Sequence, residues 1–195
     1  MKTQFDFQAP ENAMKLSFLL GNGQVALITS CDTQKKVNAI MTASWITPTS
    51  HYPLLFSLSV GNGKDEPGND NFRASCALIE ATNEFGLNIP SSELIETVGK
   101  IGTIHSNKVD KYTETGLTPM ESNKINAHLI KECFLNIECK VIDQYVTGDH
   151  TVFVAEPVAV QMDEDVFADG TFAKRVRTKD NQVHFGDIID MWKMW

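Results

Sequence analysis

This chain reads as mainly β, an antiparallel barrel or sandwich carrying a few short helices. Strand-like runs dominate it, at 24–31, 37–46, 54–60, 84–89, 132–142 and 151–161. They follow one another with turn-like joints, which favours antiparallel pairing. A strict alternation of strands with helices of about ten residues, the mark of a doubly wound parallel sheet, is missing. No internal repeat and no linker divides the 195 residues, so a single domain with a substantial core is predicted.

Taken in order, the first run follows Gly21-Asn22-Gly23-Gln24-Val25-Ala26, which formally matches G-x-G-x-x-A. A dinucleotide fingerprint must follow a strand and open a helix, so here a turn into a strand is the better account. The polar joint Cys31-Asp32-Thr33-Gln34-Lys35-Lys36 leads to the most informative run, Val37 to Trp45. One face of it reads Val37, Ala39, Met41, Ala43, Trp45; the other carries Asn38, Thr42 and Ser44, interrupted only by Ile40. Strands that face water show charged residues, whereas these small neutral groups permit close approach of a ligand. The competing reading is a buried strand whose hydroxyls bond neighbouring backbone. Trp45 is read as anchoring the core, with packing beside a ligand's ring as the alternative.

The run 54–60 repeats the theme, with Ser57 and Ser59 on one face against Phe56, Leu58 and Val60. Paired with 37–45, it would build one hydroxyl-lined surface. Residues 61–71 hold no hydrophobic side chain and read as a solvated loop. Helical patterns follow at 74–82 and after Pro90-Ser91-Ser92, where a serine caps the first turn and Leu94, Ile95, Val98 and Ile101 share a face. Arg73 and Ser75 open the first helix, where free amides favour an anion. A polar loop, Ser106-Asn107-Lys108-Val109-Asp110-Lys111-Tyr112, brings two lysines. Each basic residue read singly is a solvated charge; together they are placed to receive a phosphate. The stretch from Asp163 onward mixes charges with Phe167, Phe172, Phe185, Trp192 and Trp195, aromatics expected to pack on the barrel or on a dimer partner.

Composition narrows the function. Hydrophobic content of 42% and charged content of 22% argue against disorder, and a net charge of −8 disfavours a general nucleic-acid binder. Cys133 and Cys139 are separated by roughly 20 Å if their run is extended, beyond disulfide reach. Buried reduced thiols, as in a cytoplasmic protein, are therefore expected for the four cysteines. The start of the chain has no signal-like core, and no apolar run is long enough to span a membrane. The five histidines show no ligand spacing, so no metal is expected, and no G-x-S-x-G elbow occurs.

These pieces, in this order, resemble the flavoredoxin-like branch of the flavin reductase family. The matching stretches include Asn38 to Trp45, Arg73-Ala74-Ser75, Glu84-Phe85-Gly86-Leu87-Asn88-Ile89-Pro90, Ser106 to Tyr112, Gly116-Leu117-Thr118 and Gly148-Asp149-His150. The likeness runs over about residues 16 to 160. It implies an FMN-binding split β-barrel of Greek-key type over 1–195, with 163–195 as an extension, and usually a homodimer. The cofactor contacts it implies are Asn38, Met41, Thr42, Ala43, Ser44, Trp45, Ser57, Ser59, Arg73, Ser75, Asn88, Ser106, Lys108 and Lys111. It also implies an oxidoreductase fed by NAD(P)H or by a redox protein, with no side chain acting as acid, base or nucleophile. The alternatives are an FMN-carrying electron-transfer protein and a cofactor-free dimeric binding module.

Three departures stand out. Asn107 occupies a place where the family commonly has glycine, residues 61–71 look like an insertion, and Pro157 in Ala155-Glu156-Pro157 argues for an edge or a bulge.

Overall fold

Alternating runs pair into one antiparallel sheet that returns upon itself. The structure is a computed structural model, and it describes residues 25–34, 37–63, 74–164, 167–168 and 171–172. The main strands are β1 (Ala26–Asp32), β2 (Val37–Ala43), β3 (Ile46–His51), β4 (Leu54–Gly61), β5 (Glu84–Ile89), β8 (Leu135–Thr147) and β9 (His150–Met162). Their order in the seven-stranded sheet is β2-β1-β5-β8-β9-β4-β3. Its two edges, β2 and β3, are consecutive in the chain and joined only by Ser44 and Trp45. The sheet therefore closes into a barrel at that corner. Two-residue ladders, β6 (Pro119–Met120) with β7 (Leu129–Ile130) and β10 (Phe167–Ala168) with β11 (Thr171–Phe172), complete the described strands.

The sequence places the run at 37–46 in one strand, but the chain breaks it. Ala39, Met41 and Ala43 face the interior, and so does Ile46, whose register partner is Leu58. Inward positions two apart up to Ala43 and then three apart to Ile46 mean that the pleat slips by one residue at Ser44–Trp45. Trp45 is consequently turned outward, contrary to the core position its period predicted. For the same reason β2 does not pair with β4; β3 does, and β2 pairs with β1 instead.

Inside the barrel, Ile28, Leu58, Val60, Phe85, Leu87, Phe153 and Ala155 form the main core, with Phe56 edge-on to Phe85 at 6.3 Å. Helix α1 (Ala74–Thr82) adds Cys76 and Ile79 to it. It stops where Asn83 turns left-handed at φ 54° and donates its N–H to the Ile79 carbonyl at 2.8 Å.

On the outer face, Leu27 and Ile40 meet Ile101, Leu117, Ile130 and Cys133, covered by helix α2 (Ile95–Thr103) and helix α3 (Lys111–Thr115). A 3₁₀ turn, Ser92–Leu94, precedes α2, whose N-cap is Leu94 with no side-chain cap, so the expected serine cap is absent. Leu94, Val98 and Ile101 do pack inward, whereas Ile95 is exposed.

The segment between α3 and β8 is bound to the outer sheet face by side chains rather than by a strand ladder. Asn88 is fully buried; its Oδ1 accepts from Ile130 N at 3.0 Å and Asn136 Nδ2 at 2.8 Å, and its Nδ2 donates to the Leu27 carbonyl at 2.9 Å. Glu138, also fully buried, accepts the N–H of Asn123 at 2.8 Å and of Lys124 at 2.6 Å. Glu84 accepts both the N–H and the side-chain amide of Asn126. The register sets these groups side by side, with Gly86 opposite Glu138 and Asn88 opposite Asn136.

Two smaller expectations hold. All four cysteines are free and buried, and Pro157 lies at a register shift between Glu138 and Cys139. Asn107, by contrast, has no left-handed backbone; Asn83 is the non-glycine residue that does among the described residues.

Candidate functional site

The corner that closes the barrel gathers several of the candidate residues. Ser59 N donates to the Trp45 carbonyl at 3.0 Å, which extends the β3–β4 ladder by one step beyond Ile46 and Leu58. Trp45, Ser59 and Ser57 therefore share the outer face of β3 and β4, together with Val152 and Val154 of β9. Ser44, Ser57 and Ser59 are half-buried, and no other described residue takes their hydroxyls. Such hydroxyls each offer one donor and two acceptor positions to a ligand.

Along β2 the outward groups are partly used by the fold. Thr42 Oγ1 donates to the Val98 carbonyl of α2 at 2.9 Å, leaving only its lone pairs available. Ser106 Oγ accepts from Ile40 N and donates to Ile40 O, both at 3.3 Å, so one hydroxyl stands where a neighbouring strand would pair. That contact fixes the 105–109 turn beside the edge of β2. Asn38 and Lys108 are exposed at this end. Met41 and Ala43 point into the core, so their side chains line the interior and only their backbone is near the outer edge.

Ser75 sits buried in the first turn of α1, where unpaired amides gather. Arg73 lies outside the described residues, as do residues 64–71 of the proposed insertion and most of the chain beyond Asp163.

Two candidates are corrected. Asn88 spends its side-chain groups on the buried network described above, because it joins the β1, β5 and β8 backbones to the outer segment. Lys111 opens α3 with its side chain buried, and its Nζ donates to the Ile101 carbonyl at 2.8 Å, tying α3 to the last turn of α2. Neither reaches an open surface.

A pair unread in the sequence joins the corner instead. The His150 ring stacks on Trp45 with centroids 4.7 Å apart and planes 24° from parallel, and its Nδ1 lies 2.7 Å from Asp149 Oδ1. The turn Gly148-Asp149 carried the signal, since a glycine followed by two polar residues between long strands marks a tight hairpin.

Three of the four thiols are held in the protonated form by burial. Burial pushes the Cys133 thiol from the ordinary 9.0 up to about 12, and raises Cys31 and Cys139 as well. Burial, with help from Asp110, likewise raises the Tyr112 phenol. No group of metal-ligating side chains occurs among the described residues. The corner offers hydroxyls and a flat ring with which to bind and orient a ligand.

Residues 22–179 match the flavin reductase-like domain. The chain belongs to the flavin reductase-like family. An uncharacterized protein of Archaeoglobus fulgidus is 37% identical over 131 residues, which is 67% of this chain and 68% of that one. Among solved structures, flavoredoxin of Desulfovibrio vulgaris superposes with a TM-score of 0.65 at 23% identity, covering 78% of this chain and 76% of the other. A split-barrel protein of flavin reductase type from Shewanella frigidimarina gives 0.72 at 18% identity, covering 88% and 86%. These likenesses make the barrel a split barrel of the flavin reductase type. Flavin binding is typical of the family. No helix among the described residues is long and apolar enough to cross a membrane.

Proposed function

We propose that this chain is an FMN-dependent oxidoreductase that takes hydride from NAD(P)H and passes electrons to an acceptor. The observation that carries the reading is the corner: half-buried Ser44, Ser57 and Ser59 hydroxyls, without partners among the described residues, around the outward-turned Trp45 ring. That donor set suits a ligand with a flat ring and a polyhydroxyl chain. Ser75 at the α1 start, with Arg73 beside it in sequence, supplies the chemistry for a phosphate. Bound FMN would supply the redox chemistry, and the residues of the chain bind, orient and exclude water. Ser106 and Lys108 would hold the neighbouring turn over the cofactor, and the backbone from Asn38 to Ala43 would meet the polar edge of the ring. Two subunits would form the working unit, as a homodimer.

The test is anaerobic addition of NADH or NADPH to the FMN-loaded protein. Rapid bleaching of the flavin band by either nucleotide is the expected result. Failure with both would make the chain an electron carrier reduced by a redox protein.

A further inference from the structure

The Trp45–His150 stack depends on a gap. His150 is the register partner of Gly61, and Ser59, two residues earlier on the same strand, is hydrogen-bonded to Trp45. The outward positions of β4 between the two rings are thus Ser59, opposite Trp45, and Gly61, opposite His150, and the second has no side chain to separate the rings. The hairpin that carries His150 is firmly mounted. Asn62 N donates to the Asp149 carbonyl at 2.8 Å, and Asn62 Nδ2 donates to the Gly148 carbonyl at 3.2 Å. Gly148, at φ 62°, makes the two-residue turn possible. One edge of the His150 ring is then set by Asp149, and the His150 side chain is only 26% exposed.

We propose that His150 and Asp149 are positioning residues that hold the Trp45 indole over Gly61, making it a rigid wall for the ring of the flavin. An indole turned out of a barrel would otherwise sample several rotamers, and each is lost on binding. The stack fixes one in advance. Asp149 is 73% exposed, so its grip on His150 is the weaker contact and the stack itself the stronger. The identity of the ligand rests on the flavin reading; the hold on Trp45 does not.

The test uses the full chain with Trp192→Phe and Trp195→Phe, so that Trp45 is the remaining fluorophore among the three tryptophans. Acrylamide quenching of Trp45 and FMN affinity are measured for His150→Ala, His150→Phe, Asp149→Asn and Gly61→Val. His150→Ala should expose Trp45 to acrylamide and weaken FMN binding roughly three- to tenfold, the worth of one aromatic pair. His150→Phe should restore both, because it keeps a flat ring. Asp149→Asn should give a part of the change, and Gly61→Val should mimic His150→Ala by wedging the rings apart. Unchanged quenching in His150→Ala, or no recovery in His150→Phe, would overturn the proposal. If the parent protein binds no FMN, the flavin reading and the wall fail together; the quenching series then still judges the hold on Trp45.

Discussion

Replacing Glu138 with glutamine is expected to loosen the segment that covers the outer face of the barrel. The carboxylate is fully buried and divides its oxygens, Oε1 receiving Asn123 N at 2.8 Å and Oε2 receiving Lys124 N at 2.6 Å. Glutamine has the same shape but a single acceptor. One of the two N–H groups must then face an amide that can only donate. Hydrogen bonds to a charged group contribute ~1.5–3 kcal/mol, and a buried donor left unmet costs ~1–3 kcal/mol, so the substitution should cost about 3 kcal/mol. Against a domain stability of ~5–15 kcal/mol that is a large fraction. Glu84→Gln is the control. Asn126 N and Nδ2 both donate to the same oxygen, Oε1, at 2.6 and 2.8 Å, so glutamine can keep both contacts and only the charge is lost. Urea unfolding gives the two costs, and amide exchange at 123 and 124 locates the first. Equal losses for the two variants, or a Glu138→Gln loss below about 0.5 kcal/mol, would refute the reasoning.

The remaining predictions concern packing, titration and the phosphate end. Gly86→Ala would set a Cβ 2.3 Å from Thr29 Oγ1 and 3.0 Å from Leu129 Cδ2, and should cost ~1–3 kcal/mol by overpacking. Adding Thr29→Ala should recover part of that in thermal unfolding. The Cys133 thiol holds its proton up to about 12 when folded but loses it from the ordinary 9.0 when unfolded. Between those values the folded state binds the extra proton, so stability should fall as pH rises, by ~1.4 kcal/mol per pH unit for this group. Unfolding measured at about pH 8 and about pH 10 should show a smaller fall in Cys133→Ala than in the parent. Arg73→Ala combined with Ser75→Ala should weaken FMN binding at least about tenfold, the loss of ~1.5–3 kcal/mol of charge-assisted contact. Unchanged affinity in a binding titration would remove the pair from the site.

Much of the fold is written in local pattern. The helix at Ala74–Thr82 and the strand at Glu84–Ile89 occupy the residues their periodicity marked. Period alone misplaced Trp45, because a one-residue slip at a barrel corner leaves no local signal and inverts every side chain after it. For the same reason the 54–60 run pairs with 46–51 and not with 37–43. Asn88 looked like a ligand residue and is a structural one, since the backbone groups that claim it come from residues 27 and 130, distant in sequence. In sequence Lys111 reads as a loop charge; α3 is too short to carry a clear period, so no local pattern marks its buried end. Nothing local marks Glu84 and Glu138 as buried, because an acidic residue in an alternating strand is normally a solvated one. The hydroxyl-bearing faces were legible as unusual for water, though their partners were not.

The proposed function requires that flavin occupy the chain. The most direct measurement is a titration of the purified chain with FMN, followed in the visible absorbance of the flavin and in its fluorescence. A shifted, saturable flavin spectrum with one FMN per chain is predicted. A spectrum that remains that of free FMN at every protein concentration would contradict the central claim.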